Sequence, residues 1–174
     1  MAMPTPTLHD LNGAEQEAFV AMVGFVFEHS PWIAAEAWRQ RPFASLEQLH
    51  QSLCTVLREA TAEEKLNLIR AHPDLVGKAA LAGSLTAASS QEQAAAGLDR
   101  LSPEEIAQFT RYNAQYHQQF GFPFVICARE NKKESILAAF PVRLQHSRDK
   151  EVETALAEIA KIAWLRLVDA VRSD

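Results

Sequence analysis

One histidine stands where proton chemistry would want it. In Arg70-Ala71-His72-Pro73-Asp74-Leu75, Pro73 disfavours helical backbone at the residue before it, so His72 is expected just past the end of a helix, where the chain turns away. The negative end of that helix favours the imidazolium form. An ordinary histidine titrates at about pH 6.5, and a modest upward push leaves a proton donor near neutral pH. A histidine that merely caps its helix accounts for the same six residues and is locally the simpler reading.

Two further side chains carry the same double meaning. Glu92 closes Ser89-Ser90-Gln91-Glu92, the spacing of a capping box, in which the glutamate accepts from the cap residue's own N–H. The same helix start would offer free N–H groups to an anionic ligand, with Ser89, Glu92 and Gln93 around that point. Arg166, on the edge of an apolar stripe with Ile159 and Ala163, is either a snorkelling side chain or a guanidinium aimed into a pocket to hold a carboxylate. Glu28, His29, Trp32 and Trp38 read as structural. His9, His50, His117 and His146 are scattered, with no HExxH pair and no facial-triad spacing, so no metal site is expected.

The elements that must position these residues are helical. Of 174 residues, 48% are apolar and 22% charged, with only six glycines, a balance rich in helix formers. The length suits one domain, taken as residues 13–174 behind a flexible tail over 1–12. A net charge of −5 without a basic cluster excludes nucleic acid as a partner. No apolar run reaches the roughly 18 residues of a membrane span, and Met1-Ala-Met-Pro is not a signal peptide. Cys54 and Cys127 stand far apart without metal-ligand spacing. The terminal Arg172-Ser173-Asp174 is not a peroxisomal address, so a reducing cytoplasm is the expected setting.

Helix starts recur as Ser or Thr followed three residues later by Gln or Glu. Ser45/Gln48, Thr61/Glu64, Ser89/Glu92 and Ser102-Pro103/Glu105 mark four helices; others are expected over about Gly13 to Phe27, after Ser30-Pro31, near Glu134 to Leu144 with a kink or break at Pro141, and from about Lys150 to Val171. Ala71 to Ser89 reads as a long shaped loop with a helical piece near Lys78 to Leu81. Phe122-Pro123-Phe124-Val125-Ile126-Cys127 has strand-like composition but no partner strand, so it is expected as buried loop entering a helix. The sum is all-α, about eight helices in a single compact domain, with no sheet.

These pieces fall in one order across the chain: Ser30-Pro31-Trp32, Arg41-Pro42-Phe43, Ala71-His72-Pro73-Asp74-Leu75 with Gly77-Lys78, Leu85-Thr86, Ser89 with Glu92-Gln93, Ala96-Gly97-Leu98, Asn113, Phe120-Gly121-Phe122-Pro123-Phe124, Lys161-Ile162 and Arg166-Leu167. From about residue 19 to 171 the set resembles the OHCU decarboxylases, whose substrate is 2-oxo-4-hydroxy-4-carboxy-5-ureidoimidazoline (OHCU). The resemblance implies an all-α fold, no cofactor, and conversion of OHCU to (S)-allantoin with loss of carbon dioxide in urate breakdown. Matched residue by residue, it makes His72 the proton donor and Glu92 and Arg166 its catalytic companions. It makes Pro73, Ser89, Ser90, Gln91, Glu92, Gln93 and the segment Phe124, Val125, Ile126, Cys127 and Ala128 the substrate contacts, the last segment largely through backbone groups. A homodimer is also implied. Two alternatives stay open: hydrolysis of 5-hydroxyisourate, whose enzymes resemble all-β transthyretin, and a non-catalytic helical binding module in which His72 and Glu92 are only caps.

Overall fold

Three of the four cap spacings of the sequence, at Ser45, Thr61 and Ser102, become hydrogen bonds in the computed structural model, which describes residues 5–172 apart from the side chains of Lys78 and Ala79. Those residues form α-helices joined by loops and short 3-10 turns, with one isolated bridge between Thr7 and Arg172 and no sheet. They divide into two compact units, Met1–Leu68 with Ala160–Asp174, and Ile69–Ile159. Among the described residues, no helix is long and apolar enough to cross a membrane.

The first unit contains α1 (Leu8–Gly13), α2 (Gln16–Val23), α3 (Trp32–Ala37), α4 (Leu46–Glu59), most of α5 (Ala62–Ala71) and the C-terminal part of α10 (Arg148–Ala170). Helix α3 packs against both α2 and α4. The apolar stripes meet in a core of Phe19, Val23, Val26, Phe27, Ile33, Leu49 and Leu53, each no more than 1% exposed. Trp38 is only half-buried; its indole N–H donates to the Ala14 carbonyl, and the Arg41 guanidinium stacks 4.2 Å from its ring.

Within the stretch expected as tail, residues 8–12 are helical. Thr7 and Asp10 form a reciprocal capping box that opens α1, and Leu11 is wholly buried. A backbone bond from Arg172 N–H to the Pro6 carbonyl, 2.8 Å, ties this end of the chain down. Residues 1–4 of that tail, and Ser173 and Asp174 at the other terminus, lie outside the described residues.

The second unit is built from α6 (Lys78–Leu81), α7 (Ala87–Ala95), α8 (Pro103–Phe120), a 3-10 turn (Ala128–Glu130), α9 (Lys133–Arg143) and the start of α10. Helix α8 keeps every boundary signal of its sequence: Ser102 and Glu105 cap each other's backbone, Pro103 fills the first helical position, and Gly121 ends the helix at φ +79°, the left-handed conformation that glycine adopts at least cost. Its buried face, Phe109, Asn113, Tyr116 and Phe120, meets the loop that follows. The rings of Phe124 and Phe140 stack 3.9 Å apart, with Tyr116 edge-on to Phe124 at 5.4 Å.

Residues 122–127 are buried loop, as their sequence implies. A buried loop needs partners for its backbone polar groups. Here Arg143 supplies a donor to the Val125 carbonyl, Asn131 one to the Cys127 carbonyl, and Glu158 an acceptor for the Cys127 N–H. Pro141 sits in the last turn of α9, which continues only two residues beyond it.

Candidate active site

His72 follows α5 directly, and its N–H donates back to the Ile69 carbonyl at 3.2 Å. The side chain is buried, 7% exposed, with Nε2 shielded from solvent. The loop after it is tightly wound. Val76 lies at φ +54°, a strained region for a β-branched residue that persists only where surroundings hold it. At Gly77 an added Cβ would come within 2.6 Å of Asp74 Cβ, so no larger residue fits without movement.

What holds this loop is a set of side chains from α7 and α8. Gln93 Oε1 accepts from the Val76 N–H at 3.1 Å, and Gln93 Nε2 donates to the Asp74 carbonyl at 3.4 Å. Asn113 donates to the Leu75 carbonyl at 2.8 Å, and His117 Nε2 lies 2.7 Å from Asp74 Oδ1. Pro73 is half-buried at the foot of the loop. Gln93, expected at the substrate, has both ends of its amide on this backbone.

The segment Ser89–Gln93 does not start its helix. Thr86 is the N-cap of α7, accepting from the Ser89 N–H at 3.2 Å, so the Ser89/Glu92 capping box gives way to a cap three residues earlier. The cause lies in Leu85-Thr86-Ala87-Ala88-Ser89: Thr86 offers the same hydroxyl, and the good helix former alanine follows it. Glu92 is thereby released from capping and sits inside the helix, half-buried. Ser89 and Gln93 are buried on the same side, whereas Ser90 and Gln91 are exposed. Ser90 reaches a cavity of about 420 Å³ that it shares with Val76, Leu85, Gln93 and Leu98.

Helix α7 packs against the 3-10 turn Ala128–Glu130, which brings Glu92 and its neighbours to the second expected substrate segment. Phe124, Val125, Ile126, Cys127 and Ala128 are all buried. Burial pushes the Cys127 thiol above its ordinary value, and the carboxylates of Glu130, Glu158 and Glu92 add to the push. The Cys127 side chain is therefore a neutral wall. Among the described residues, no three His, Cys, Asp or Glu side chains converge as a metal site would require.

Arg166 belongs to the first unit. It is 3% exposed, its Nη1 donating to Glu28 Oε2 at 2.7 Å and to the Phe25 carbonyl at 3.3 Å. A snorkelling position is thus excluded. Glu28, read from the sequence as structural, is the partner that makes a buried guanidinium tolerable. No local spacing pairs two residues 138 positions apart.

A family model described as OHCU decarboxylase matches residues 12–168. The chain belongs to the OHCU decarboxylase family. It is 42% identical to the 2-oxo-4-hydroxy-4-carboxy-5-ureidoimidazoline decarboxylase of Halalkalicoccus jeotgali, over 92% of this chain and 89% of that protein. It is 39% identical to the enzyme of the same name from Haloferax volcanii, over 97% of this chain and 98% of that one. In Bacillus subtilis, 95% of this chain matches 33% of the uric acid degradation bifunctional protein PucL at 36% identity. Among solved structures, an (S)-allantoin synthase superposes with a TM-score of 0.78 at 27% identity, over 96% of this chain and 54% of that longer one. As an OHCU decarboxylase family member the chain is an enzyme, a decarboxylase, in line with the resemblance seen in its motifs.

Proposed function

We propose that the protein decarboxylates OHCU to (S)-allantoin in urate breakdown, with His72 as general acid. The observation that carries this reading is a buried histidine on a loop whose backbone is pinned by a residue of the helix that bears Glu92. Cleavage of the bond to the carboxylate leaves an electron pair, which the imidazoline C=N and ureido groups of the substrate itself can accept, so no cofactor is needed. The protein then has to orient the carboxylate, stabilise the shifting charge and deliver one proton to one face of the carbon. His72 gives that proton, Glu92 hydrogen-bonds and polarises the substrate, and Arg166 anchors its anionic group. Pro73, Ser89, Ser90, Gln91, Gln93 and the 124–128 segment form the substrate contacts.

The reaction also proceeds unaided to racemic product, so stereocontrol is the gain that defines the enzyme. Freshly generated OHCU mixed with the protein gives optically active allantoin, followed by circular dichroism; racemic product at the spontaneous rate refutes the reading. His72→Asn lowers turnover by roughly 10²- to 10⁴-fold, the usual contribution of a general acid, whereas a binding module in which His72 is only a cap shows no such dependence. Hydrolysis of 5-hydroxyisourate, expected of an all-β protein, finds no support in a helical chain. The same proposal takes residues 13–174 as one functional domain, working as a homodimer in the cytoplasm, to be checked by sedimentation and by fractionation.

A further inference from the structure

A buried charged cluster lies behind the 124–128 segment, and the proposed chemistry does not use it. Glu151 is 0% exposed and Arg143 6% exposed. Arg143 Nε donates to Glu151 Oε1 at 2.7 Å, the Tyr116 hydroxyl donates to the same oxygen, and His146 Nδ1 lies 2.8 Å from Oε2. Arg143 Nη1 donates to the Val125 carbonyl at 2.6 Å, and the guanidinium lies 4.1 Å over the Phe124 ring. Arg143 Nη2 is buried with no hydrogen-bond partner among the described residues.

Such a cluster is a poor device for stability. Taking two charges out of water costs several kcal/mol per ion, and well-packed apolar side chains commonly do as well or better. An orphaned N–H adds to that cost. What the cluster does deliver is direction: it draws the Val125 carbonyl into the aromatic core. A peptide unit is planar, and in its trans form the carbonyl and the next N–H point opposite ways; the Val125–Ile126 bond is trans, since among the described residues the sole cis bond is Arg41–Pro42. The Ile126 N–H therefore points away from Arg143.

We propose that Arg143, held by Glu151, is a positioning residue that locks the Val125–Ile126 peptide with the Ile126 N–H presented to the substrate's anionic group. The inference rests on the reading of residues 124–128 as a substrate-contacting segment. An N–H held toward the departing carboxylate binds the ground state at least as well as the transition state, in which that charge moves into the ring, so its loss raises KM and does not lower kcat. A cluster that only stabilised the fold would lower the melting temperature and the active fraction and leave KM alone.

The test measures KM, kcat and product chirality for wild type, Arg143→Lys, and a protein in which Ile126 is replaced by its α-hydroxy acid, so that an ester replaces the amide, removing the N–H and weakening the Val125 carbonyl as an acceptor. Lysine cannot hold both Glu151 and the Val125 carbonyl in a fork. The expected result is KM raised about tenfold or more in both variants, with kcat within about threefold of wild type. An unchanged KM in a folded Arg143→Lys overturns the proposal. Where that variant does not fold, the ester variant decides, and an unchanged KM there overturns it equally. Optically active product from wild type beside unchanged KM in the variants sinks the positioning role alone; racemic product from wild type sinks the functional reading, and this inference with it.

Discussion

Both ends of the Gln93 amide are taken up by the backbone of the histidine loop, a role it carries besides the substrate contact proposed for it. Gln93→Leu keeps the volume but strands the half-buried Asp74 carbonyl and the buried Val76 N–H, and a buried group left unsatisfied costs about 1 to 3 kcal/mol. Urea denaturation is expected to show a loss in that range, together with reduced turnover as Val76 relaxes from its strained φ. A lower affinity with unchanged stability would instead make Gln93 a substrate ligand only. At this scale His72 was legible because the rule is local: a proline constrains the residue before it. The brace was not, because Gln93 and Val76 are 17 residues apart and no local preference asks a valine to adopt positive φ. The Glu28–Arg166 and Arg143–Glu151 pairs were hidden for a related reason. A buried ion pair is a tertiary contact, and each member alone resembles a surface residue.

Helix boundaries were the most legible feature, with two informative exceptions. Ser102, Pro103, Glu105 and Gly121 bound α8 as their chemistry dictates. In α7 two hydroxyl residues competed for the cap, and Thr86 prevails over Ser89. Thr86→Ala is expected to cost about 1 kcal/mol and to fray the turn that leads to Ser89. Ser89→Ala removes no cap and is expected to spare the helix. Backbone hydrogen exchange over 87–92 separates the two: faster exchange in Ser89→Ala but not in Thr86→Ala would restore the later start. Helix α1 went unread although Thr7 and Asp10 carry the capping spacing, because a six-residue helix shows too few apolar positions for periodicity to register.

For the molecule as a whole, the all-α class followed from composition and caps together. Its division into two units did not, since the boundaries fall inside the continuous helices α5 and α10, where no proline, glycine or polar linker marks them. The buried cluster gives the chain a distinct response to alkali. Burial first, and the hydrogen bond to Glu151 second, hold the Tyr116 hydroxyl well above its ordinary value. The unfolded chain releases this proton at about pH 10 while the folded one keeps it, so stability present below that pH falls as it is passed. The urea midpoint of wild type is expected to drop above pH 10 more steeply than that of Tyr116→Phe; parallel curves would refute this.

One face of α8 serves two masters. Asn113 and His117 hold the histidine loop through Leu75 and Asp74, and Tyr116 holds Glu151, which grips Arg143 and through it the Val125 carbonyl. A single rigid rod is thus the common datum from which both segments are measured. A displacement of the rod carries the histidine loop and the 124–128 segment together, so their spacing is better protected than the position of either. Damage to this helix should cost the enzyme its rate before it costs the optical purity of what it makes.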